Sequence, residues 1–186
     1  MLKEKLILAS KSLRRAEILT AVGWDFEAIA ADIDETRDAA EDAATYVTRL
    51  ARAKAETLAG KFPARLVLGA DTVVVIDGEI LGQPRDYDDA RRMLQLLSGK
   101  WHEVLTGVAL MRTADVVLDY ETTRVRFAEM SAEEIDWYIA TGEPRGKAGA
   151  YGIQGSAALF IKEIQGDYFN VVGLPVRLVF ELSRRI

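Results

Sequence analysis

The sequence predicts an α/β fold, because strand-like and helix-like segments alternate along most of the chain. Short apolar runs such as LILA at residues 6–9 alternate with segments in which apolar residues recur every three or four positions. Helix-start and helix-stop residues bracket the periodic segments, as Ser12 and Gly23 do for the first of them. With 186 residues, of which 49% are hydrophobic and 28% charged, the chain has enough apolar material for one domain with one or two lobes.

Charge and cysteine content exclude several classes of protein. A net charge of -5 argues against broad binding to nucleic acid, which needs a basic face. The chain has no cysteine, so a disulfide framework and a thiolate zinc site are excluded, and the reducing cytoplasm is the expected compartment. The apolar run in the N-terminal segment MLKEKLILAS is too short for a signal peptide or a membrane span. We therefore expect a cytoplasmic protein that binds neither nucleic acid nor membranes.

The first strand-to-helix turn, within LILASKSLRRA at residues 6–16, has the chemistry of an anion site. We predict a strand at residues 5–9 and a helix at residues 12–21 that is capped by Ser12. Free backbone N–H groups and the positive end of the helix dipole converge at such a turn. Arg14 and Arg15 add guanidinium groups that can bind phosphate oxygens in pairs. The turn therefore predicts a phosphate site.

A second strand is predicted at residues 24–30, and the acidic stretch ADIDETRDAAED follows it. Taken alone, this stretch is typical of a solvated loop that also places negative charge at the start of a helix.

The helix predicted at residues 41–59 has one polar residue where an apolar one is expected, since Lys54 falls on its apolar stripe. Such a lysine either extends past its neighbours to the surface or meets an anion in a cleft. The residues alone leave both possibilities open.

The strongest strand signal, RLVLGADTVVVID at residues 65–77, has a carboxylate in its middle. Asp71 needs a metal, a hydrogen-bonded partner or access to a cleft, because burial of an unpaired carboxylate costs several kcal/mol. The alternative is that Gly69 and Ala70 let the chain kink and that Asp71 only caps the kink. Thr72 offers a hydroxyl beside Asp71, which favours a site over a kink. Asp77 and Gly78 predict a hairpin turn.

The second half of the chain continues the alternation. We predict helices at residues 86–97 and 131–141, long neighbouring strands at 102–111 and 116–127, a strand at 157–164, and a last helix with Pro175 in its first turn. His102 is the only histidine, so a Ser-His-Asp triad and a histidine-rich metal site are improbable. Any metal must then be held by oxygen atoms, which indicates Mg or Mn.

The segment TGEPRGKAGAYGIQG at residues 141–155 is the richest in glycine. Glycine at this density lets backbone amides turn towards a ligand, although a flexible loop is the simpler explanation. Lys147, Tyr151 and Gln154 within it supply a charge, a ring and an amide that can both donate and accept hydrogen bonds.

Eight short motifs follow one another along nearly the whole chain. They are ASKSLRR, Asp34 with Glu35, LARAKAE around Lys54, GADTVVV, LGQPRD, HEVLTGVAL, KAGAYGIQG and GDYFNVVGLP. In this order they closely resemble the Maf family of nucleoside triphosphate pyrophosphatases. The resemblance implies one Maf-like domain over residues 1–186, with a long bent mixed β-sheet flanked by helices and two lobes around a central cleft. It also implies cleavage of a nucleoside triphosphate to the monophosphate and pyrophosphate, with a divalent metal, Mg or Mn.

The resemblance also implies roles for individual residues. The subgroup that the chain resembles most acts on dTTP and UTP and on some modified pyrimidine triphosphates, and its signature positions are here Arg14, Thr72 and Gln154. Asp71 corresponds to the general base, and Glu35 and Asp71 to the metal ligands. The triphosphate would be held by four residues: Ser10, Arg15, Lys54 and Lys147. Together with Asp71 and Glu35, Lys54 completes the set expected to carry catalysis.

The chain departs from the family pattern at two positions and leaves two other functions open. Leu13 stands where the family usually has proline, and Gln83 where it commonly has lysine. The same reaction on 7-methyl-GTP or on a non-canonical purine triphosphate is the alternative among enzymes. Because the family is also linked to septum inhibition, a nucleotide-binding regulator of cell division with little catalysis is the other alternative. The resemblance further implies a homodimer.

Overall fold

A computed structural model of the chain describes residues 4–186 and has the predicted mixed α/β architecture. The part of the N-terminal prediction that concerns residues 1–3 lies outside the described residues. Within residues 4–186, seven strands belong to one sheet, which six α-helices flank. No helix in this range combines the length and apolar character that a membrane crossing requires.

The bounds of the elements follow the predicted alternation closely. The strands are β1 (Leu6–Ala9), β2 (Phe26–Ile29), β3 (Val67–Ile76), β4 (Glu79–Leu81), β5 (Trp101–Arg112), β6 (Asp115–Phe127) and β7 (Ile161–Gln165). The helices are α1 (Leu13–Ala21), α2 (Ala43–Ala59), α3 (Tyr87–Leu97), α4 (Ala132–Ala140), α5 (Tyr168–Val172) and α6 (Val176–Leu182).

The sheet has the strand order β2-β1-β3-β5-β6-β7, and β4 pairs with β3 outside this path. Strand β1 runs parallel to both β2 and β3, with Ile7 opposite Glu27 on one side and Val67 on the other. Pairing is antiparallel between β3 and β4 and between β6 and β7, so the sheet is mixed. The β3–β4 hairpin turns at Asp77 and Gly78, both with positive φ as two-residue hairpin turns require.

The helix starts are those that the sequence indicates. The Ser12 hydroxyl accepts a hydrogen bond from the Arg15 backbone N–H at 3.4 Å, and Gly23 follows α1 with φ of 70°. Ser131 and Glu134 form the predicted capping box at the start of α4. Pro175 is the N-cap of α6 rather than a residue of its first turn.

The predicted strand at residues 157–164 is wrong in its first half. Residues Ser156–Phe160 form a 3-10 turn, in which the Ala158 backbone N–H donates to the Gly155 carbonyl oxygen at 3.0 Å. Ala157 and Phe160 are buried three residues apart, a spacing that a turn of helix satisfies and an alternating strand does not. The strand β7 therefore begins only at Ile161.

The described residues divide into two compact units. Unit 1 contains the described residues through Asp71 together with Thr106–Glu121 and Gly173–Ile186, and its core includes Ile7, Ala51, Leu58 and Val67. Unit 2 contains Thr72–Leu105 and Thr122–Val172. The core of unit 2 is built from α3, α4 and the inner faces of the strands around them, with Leu94, Phe127 and Tyr138 fully enclosed.

Within unit 2, His102 is a buried structural residue. Its Nε2 lies 2.8 Å from the Tyr151 hydroxyl, and the rings of Phe127 and Tyr151 both meet it edge to face. Burial lowers the pKa of the His102 imidazole to about 4, so the ring is neutral in the folded protein at neutral pH. The pair anchors Tyr151, which belongs to the glycine-rich segment, to strand β5.

We expect His102 to make the protein lose stability as the pH falls from about 6.5 towards 4. The unfolded chain takes up a proton at His102 in this window and the folded chain does not, so the free energy of unfolding decreases with falling pH. Between pH 7 and pH 5 the loss from this residue is ~2 kcal/mol. Urea denaturation of the wild type and His102→Gln at both pH values measures it. Equal pH dependence in the two proteins would contradict the prediction.

Candidate active site

Helix α2 packs against two strands at glycines that leave no room for a side chain. A Cβ atom on Gly69 of β3 would lie 2.1 Å from the Ala51 carbonyl oxygen, and one on Gly107 of β5 would lie 2.4 Å from the Val47 carbonyl oxygen. The backbone of α2 therefore rests directly on the sheet at both places. Strand β3 continues unbroken from Val67 to Ile76, so Gly69 serves this contact and not a kink.

This packing brings Lys54 of α2 to Asp71, which lies two residues after Gly69. The Lys54 ammonium lies 2.6 Å from the Asp71 Oδ1 and 2.8 Å from the Glu35 Oε1. Lys54 is buried. Of the two possibilities that the sequence left open, extension to the surface is therefore wrong, and Lys54 meets carboxylates inside the protein. Three residues predicted from separate parts of the sequence thus meet at one ammonium group.

The electrostatics of this cluster are set by burial. Burial raises the pKa of the Asp71 carboxyl above its ordinary value of 3.8, and the positive charges of Lys54 and Arg15 partly oppose that rise. Lys54 donates a hydrogen bond to Asp71, so the buried charge has a partner, as the cost of burying it requires. Asp71 is therefore a largely buried carboxylate that takes up a proton more readily than an exposed aspartate does.

Arg15 is the second buried cation in unit 1. Its Nε donates to the Gly173 carbonyl oxygen at 2.8 Å, and its Nη1 donates to the Ser10 hydroxyl at 3.2 Å. The same Ser10 hydroxyl accepts from the Ser12 backbone N–H at 3.1 Å. Burial lowers the pKa of the Arg15 guanidinium, and the Asp71 carboxylate acts in the opposite direction. Arg15 remains protonated at neutral pH, because an arginine does not lose its charge in proteins.

Arg14 and Thr72 lie next to these residues along the chain. Arg14 follows Leu13 in the first turn of α1 and is half-buried. Its positive charge contributes to lowering the pKa of the Arg15 guanidinium. Thr72 follows Asp71 directly on β3 and is half-buried, with its side chain directed to the opposite face of the strand.

Lys147 and Gln154 belong to the glycine-rich segment of unit 2. The Lys147 ammonium donates to the Glu143 carbonyl oxygen, and its alkyl chain covers Gly152, where an added Cβ would lie 2.7 Å from the Lys147 Cε. Gln154 is exposed. At Ala148–Ala150 the segment makes a tight turn and not a regular 3-10 helix, because Gly149 has φ of 66° and Ala150 has φ of 61°.

The family of the chain follows from comparison over its whole length. A model of the Maf-like protein family matches residues 5–186. The chain belongs to the Maf family.

Curated relatives in this family are similar to the chain from end to end. The dTTP/UTP pyrophosphatase of Symbiobacterium thermophilum is 51% identical over 179 residues, which cover 96% of this chain and 92% of the relative. The dTTP/UTP pyrophosphatase of Bacillus cytotoxicus is 52% identical over 182 residues, which cover 97% of this chain and 95% of the relative. The dTTP/UTP pyrophosphatase of Geotalea uraniireducens is 50% identical over 186 residues, which cover 99% of this chain and 96% of the relative.

One solved structure shares the fold at low sequence identity. The Ham1 protein of Staphylococcus aureus superimposes with a TM-score of 0.50 at 14% identity, over 68% of this chain and 73% of that protein. This likeness concerns the fold alone.

The donor set of this Maf protein fits a divalent metal that is shared with a substrate. Glu35 and Asp71 present two carboxylate oxygens around one point, which the Lys54 ammonium now neutralises. Among residues 4–186, no three histidine, cysteine or acidic side chains are grouped closely enough to form a fuller metal site. Mg²⁺ is commonly bound by one or two carboxylates together with phosphate oxygens and water, and this pair matches that pattern.

Reasoning from the sequence missed one residue that shapes the glycine-rich segment. The Glu143 carboxylate accepts hydrogen bonds from the Tyr138 hydroxyl at 3.0 Å and from the Ser156 backbone N–H at 2.8 Å. A Cβ on Gly155 would lie 2.4 Å from a Glu143 carboxylate oxygen, so the chain folds closely around this side chain. No periodicity or charge pattern marks Glu143, because its partners lie 5 and 13 residues away.

We expect Gly69→Ala to destabilise the protein by at least ~2 kcal/mol, since the new methyl group must push the α2 backbone off the sheet. Gly60→Ala is the matched control, because a Cβ there meets nothing nearer than the Glu56 carbonyl oxygen at 3.9 Å. The control is expected to stay within about 0.5 kcal/mol of the wild type. Urea denaturation measures both variants, and equal stabilities would show that the close contact is not a constraint.

Proposed function

We propose that this protein hydrolyses nucleoside triphosphates, dTTP and UTP foremost, to the nucleoside monophosphate and pyrophosphate. The observation that carries the proposal is the buried Asp71 carboxylate, held beside the cations Lys54 and Arg15. A site of this kind suits a reaction that needs a base and positive charge together. Relatives about half identical over nearly their full length are named dTTP/UTP pyrophosphatases, which supports the same reaction here.

In this proposal Asp71 acts as the general base. Water attacks the α-phosphorus, its proton passes to the Asp71 carboxylate, a new P–O bond forms, and the bond between the α-phosphorus and the bridging oxygen breaks. Pyrophosphate leaves with the electron pair of that bond. Because burial raises the pKa of Asp71, this carboxylate holds a proton better than an exposed aspartate does.

The cationic residues stabilise the negative charge that builds on the leaving pyrophosphate. Arg15 is already oriented by the Ser10 hydroxyl and the Gly173 carbonyl, so little reorganisation is needed when phosphate oxygens arrive. Lys54 carries the second charge, and Lys147 of the glycine-rich segment is proposed to bind the triphosphate as well. A divalent cation, Mg or Mn, held by Glu35 and Asp71 would add charge neutralisation and lower the pKa of a bound water.

Three further residues are proposed to select the nucleobase of the substrate. Gln154 is exposed and can pair its amide with the imide edge of a pyrimidine, donating one hydrogen bond and accepting another. Arg14 and Thr72 occupy the other two positions by which the pyrimidine subgroup is distinguished. We further propose a cytoplasmic homodimer in which residues 1–186 form one catalytic domain. A link to septum inhibition is proposed from the resemblance to the family alone.

A panel of triphosphates tests the proposed function. With Mg²⁺ or Mn²⁺ present, dTTP and UTP should release pyrophosphate with a kcat/KM at least ~10-fold above that of 7-methyl-GTP or a non-canonical purine triphosphate, and EDTA should stop the reaction. Release of orthophosphate instead of pyrophosphate would contradict cleavage at the α-phosphorus. Faster turnover of the purines would overturn the substrate assignment.

Asp71→Asn separates an enzyme from a nucleotide-binding regulator of cell division. The amide cannot accept the proton, so we expect at least ~100-fold loss in kcat, the size typical of a lost general base. The isosteric side chain should leave nucleotide binding within a few-fold when it is measured by calorimetry. An unchanged rate would remove Asp71 from this role, and a wild type that binds dTTP without hydrolysing it would favour the regulator.

A further inference from the structure

Glu35 lies in a stretch of chain with no regular structure of its own. Residues 30–42, between β2 and α2, form neither helix nor strand. The Glu35 side chain is 55% exposed, and an ion pair with that exposure contributes little to holding a side chain in one place. The pair with Lys54 therefore does not by itself explain why the carboxylate stays beside Asp71.

Two side chains of α2 bind the backbone at Glu35 and at the next residue, Thr36. The Tyr46 hydroxyl donates to the Glu35 carbonyl oxygen at 2.7 Å. The Arg49 Nη2 donates to the Thr36 carbonyl oxygen at 3.1 Å. Since Tyr46 and Lys54 are eight residues apart and share a face of α2, one helix holds Glu35 by its backbone and by its carboxylate.

Arg49 also ties the end of the segment to the helix. It donates through Nε and Nη2 to both carboxylate oxygens of Glu41, the second at 2.8 Å, and its guanidinium lies over the Tyr46 ring at 5.5 Å. A two-bond contact of this kind fixes the orientation of both partners. Arg49 thus supports Tyr46 and ties both Thr36 and Glu41 to α2.

We infer that Tyr46 and Arg49 are positioning residues, which hold Glu35 at the Lys54–Asp71 pair and so act on the reaction only through Glu35. This inference rests on the proposed function for its effect on rate, whereas its effect on the segment does not. The functional group is delivered by a loop, and its precision comes from hydrogen bonds that the neighbouring helix donates.

The first test measures the segment directly by amide hydrogen exchange. The Thr36 N–H is bonded to the Asp34 Oδ1 at 2.8 Å, and the Asp38 N–H is bonded to the Glu41 Oε2 at 3.1 Å, so both report on the loop. Tyr46→Phe should speed their exchange ~5-fold, the size expected for one lost hydrogen bond. Arg49→Gln removes the bonds to Thr36 and Glu41 together and should speed it by at least as much. Arg52→Gln is the matched control, because Arg52 pairs with Glu56 of the same helix at 2.7 Å.

The second test is a double-mutant cycle on kcat for dTTP. Tyr46→Phe should lower kcat ~5-fold in the wild type and leave it unchanged within ~1.5-fold in a Glu35→Gln background, because its effect passes through the Glu35 carboxylate. KM should change less than kcat in the wild-type background. An equal loss of kcat in both backgrounds is the result of a merely structural role and would overturn the inference.

The two tests keep this inference apart from the proposed function. If the wild type hydrolyses no nucleoside triphosphate, the proposed function fails, and the exchange rates alone decide whether Tyr46 and Arg49 hold the segment. If exchange at Thr36 and Asp38 is the same in Tyr46→Phe, Arg49→Gln and Arg52→Gln, the inference is wrong whatever the activity.

Discussion

The contact between the α2 backbone and the two glycines of the sheet is the constraint on which the site depends. A helix normally stands off a sheet by the thickness of two layers of side chains, whereas here Gly69 and Gly107 let the carbonyl groups of α2 touch the strands. At this separation the Lys54 side chain, which starts within one turn of Ala51, reaches the carboxylate of Asp71. A wider gap would take the ammonium away from the largely buried Asp71 carboxylate, at a cost of several kcal/mol.

The charges in unit 1 make chemical sense as a site that awaits an anion. Arg15 and Lys54 are buried cations, and Asp71 and Glu35 are the carboxylates whose charges act on them. Burial disfavours the charges of Arg15 and Asp71, and attraction between opposite charges offsets only part of the cost. A protein gains nothing in stability from such a cluster over apolar residues of the same volume. Such a cluster is consistent with the proposed binding of an anionic substrate together with a divalent cation.

Local anomalies made much of the site predictable, whereas long-range contacts did not. Lys54 and Asp71 stood out because each broke an apolar pattern, and the structure brings both together with Glu35. Tyr46 fitted the apolar stripe and so gave no sign that its hydroxyl binds a loop. Gly69 was consistent with a kink in the strand, because the sequence shows that this residue has no side chain but not that the α2 backbone packs against it. The strand prediction was likewise wrong at residues Ser156–Phe160, which form a 3-10 turn.

The two departures from the family pattern leave the backbone of the fold intact. Helix α1 begins at Leu13 under the Ser12 cap, and the Leu13 side chain is exposed, so the fixed φ of a proline is not needed there. The loop that carries Gln83 is attached through its backbone, since the Gly149 N–H donates to the Gly82 carbonyl oxygen at 3.0 Å. The side chain at position 83 does not determine where that loop lies. Because Gln83 is exposed, a lysine there would lend the fold no buried contact, and under the proposed function the missing charge bears on the binding of the anionic substrate.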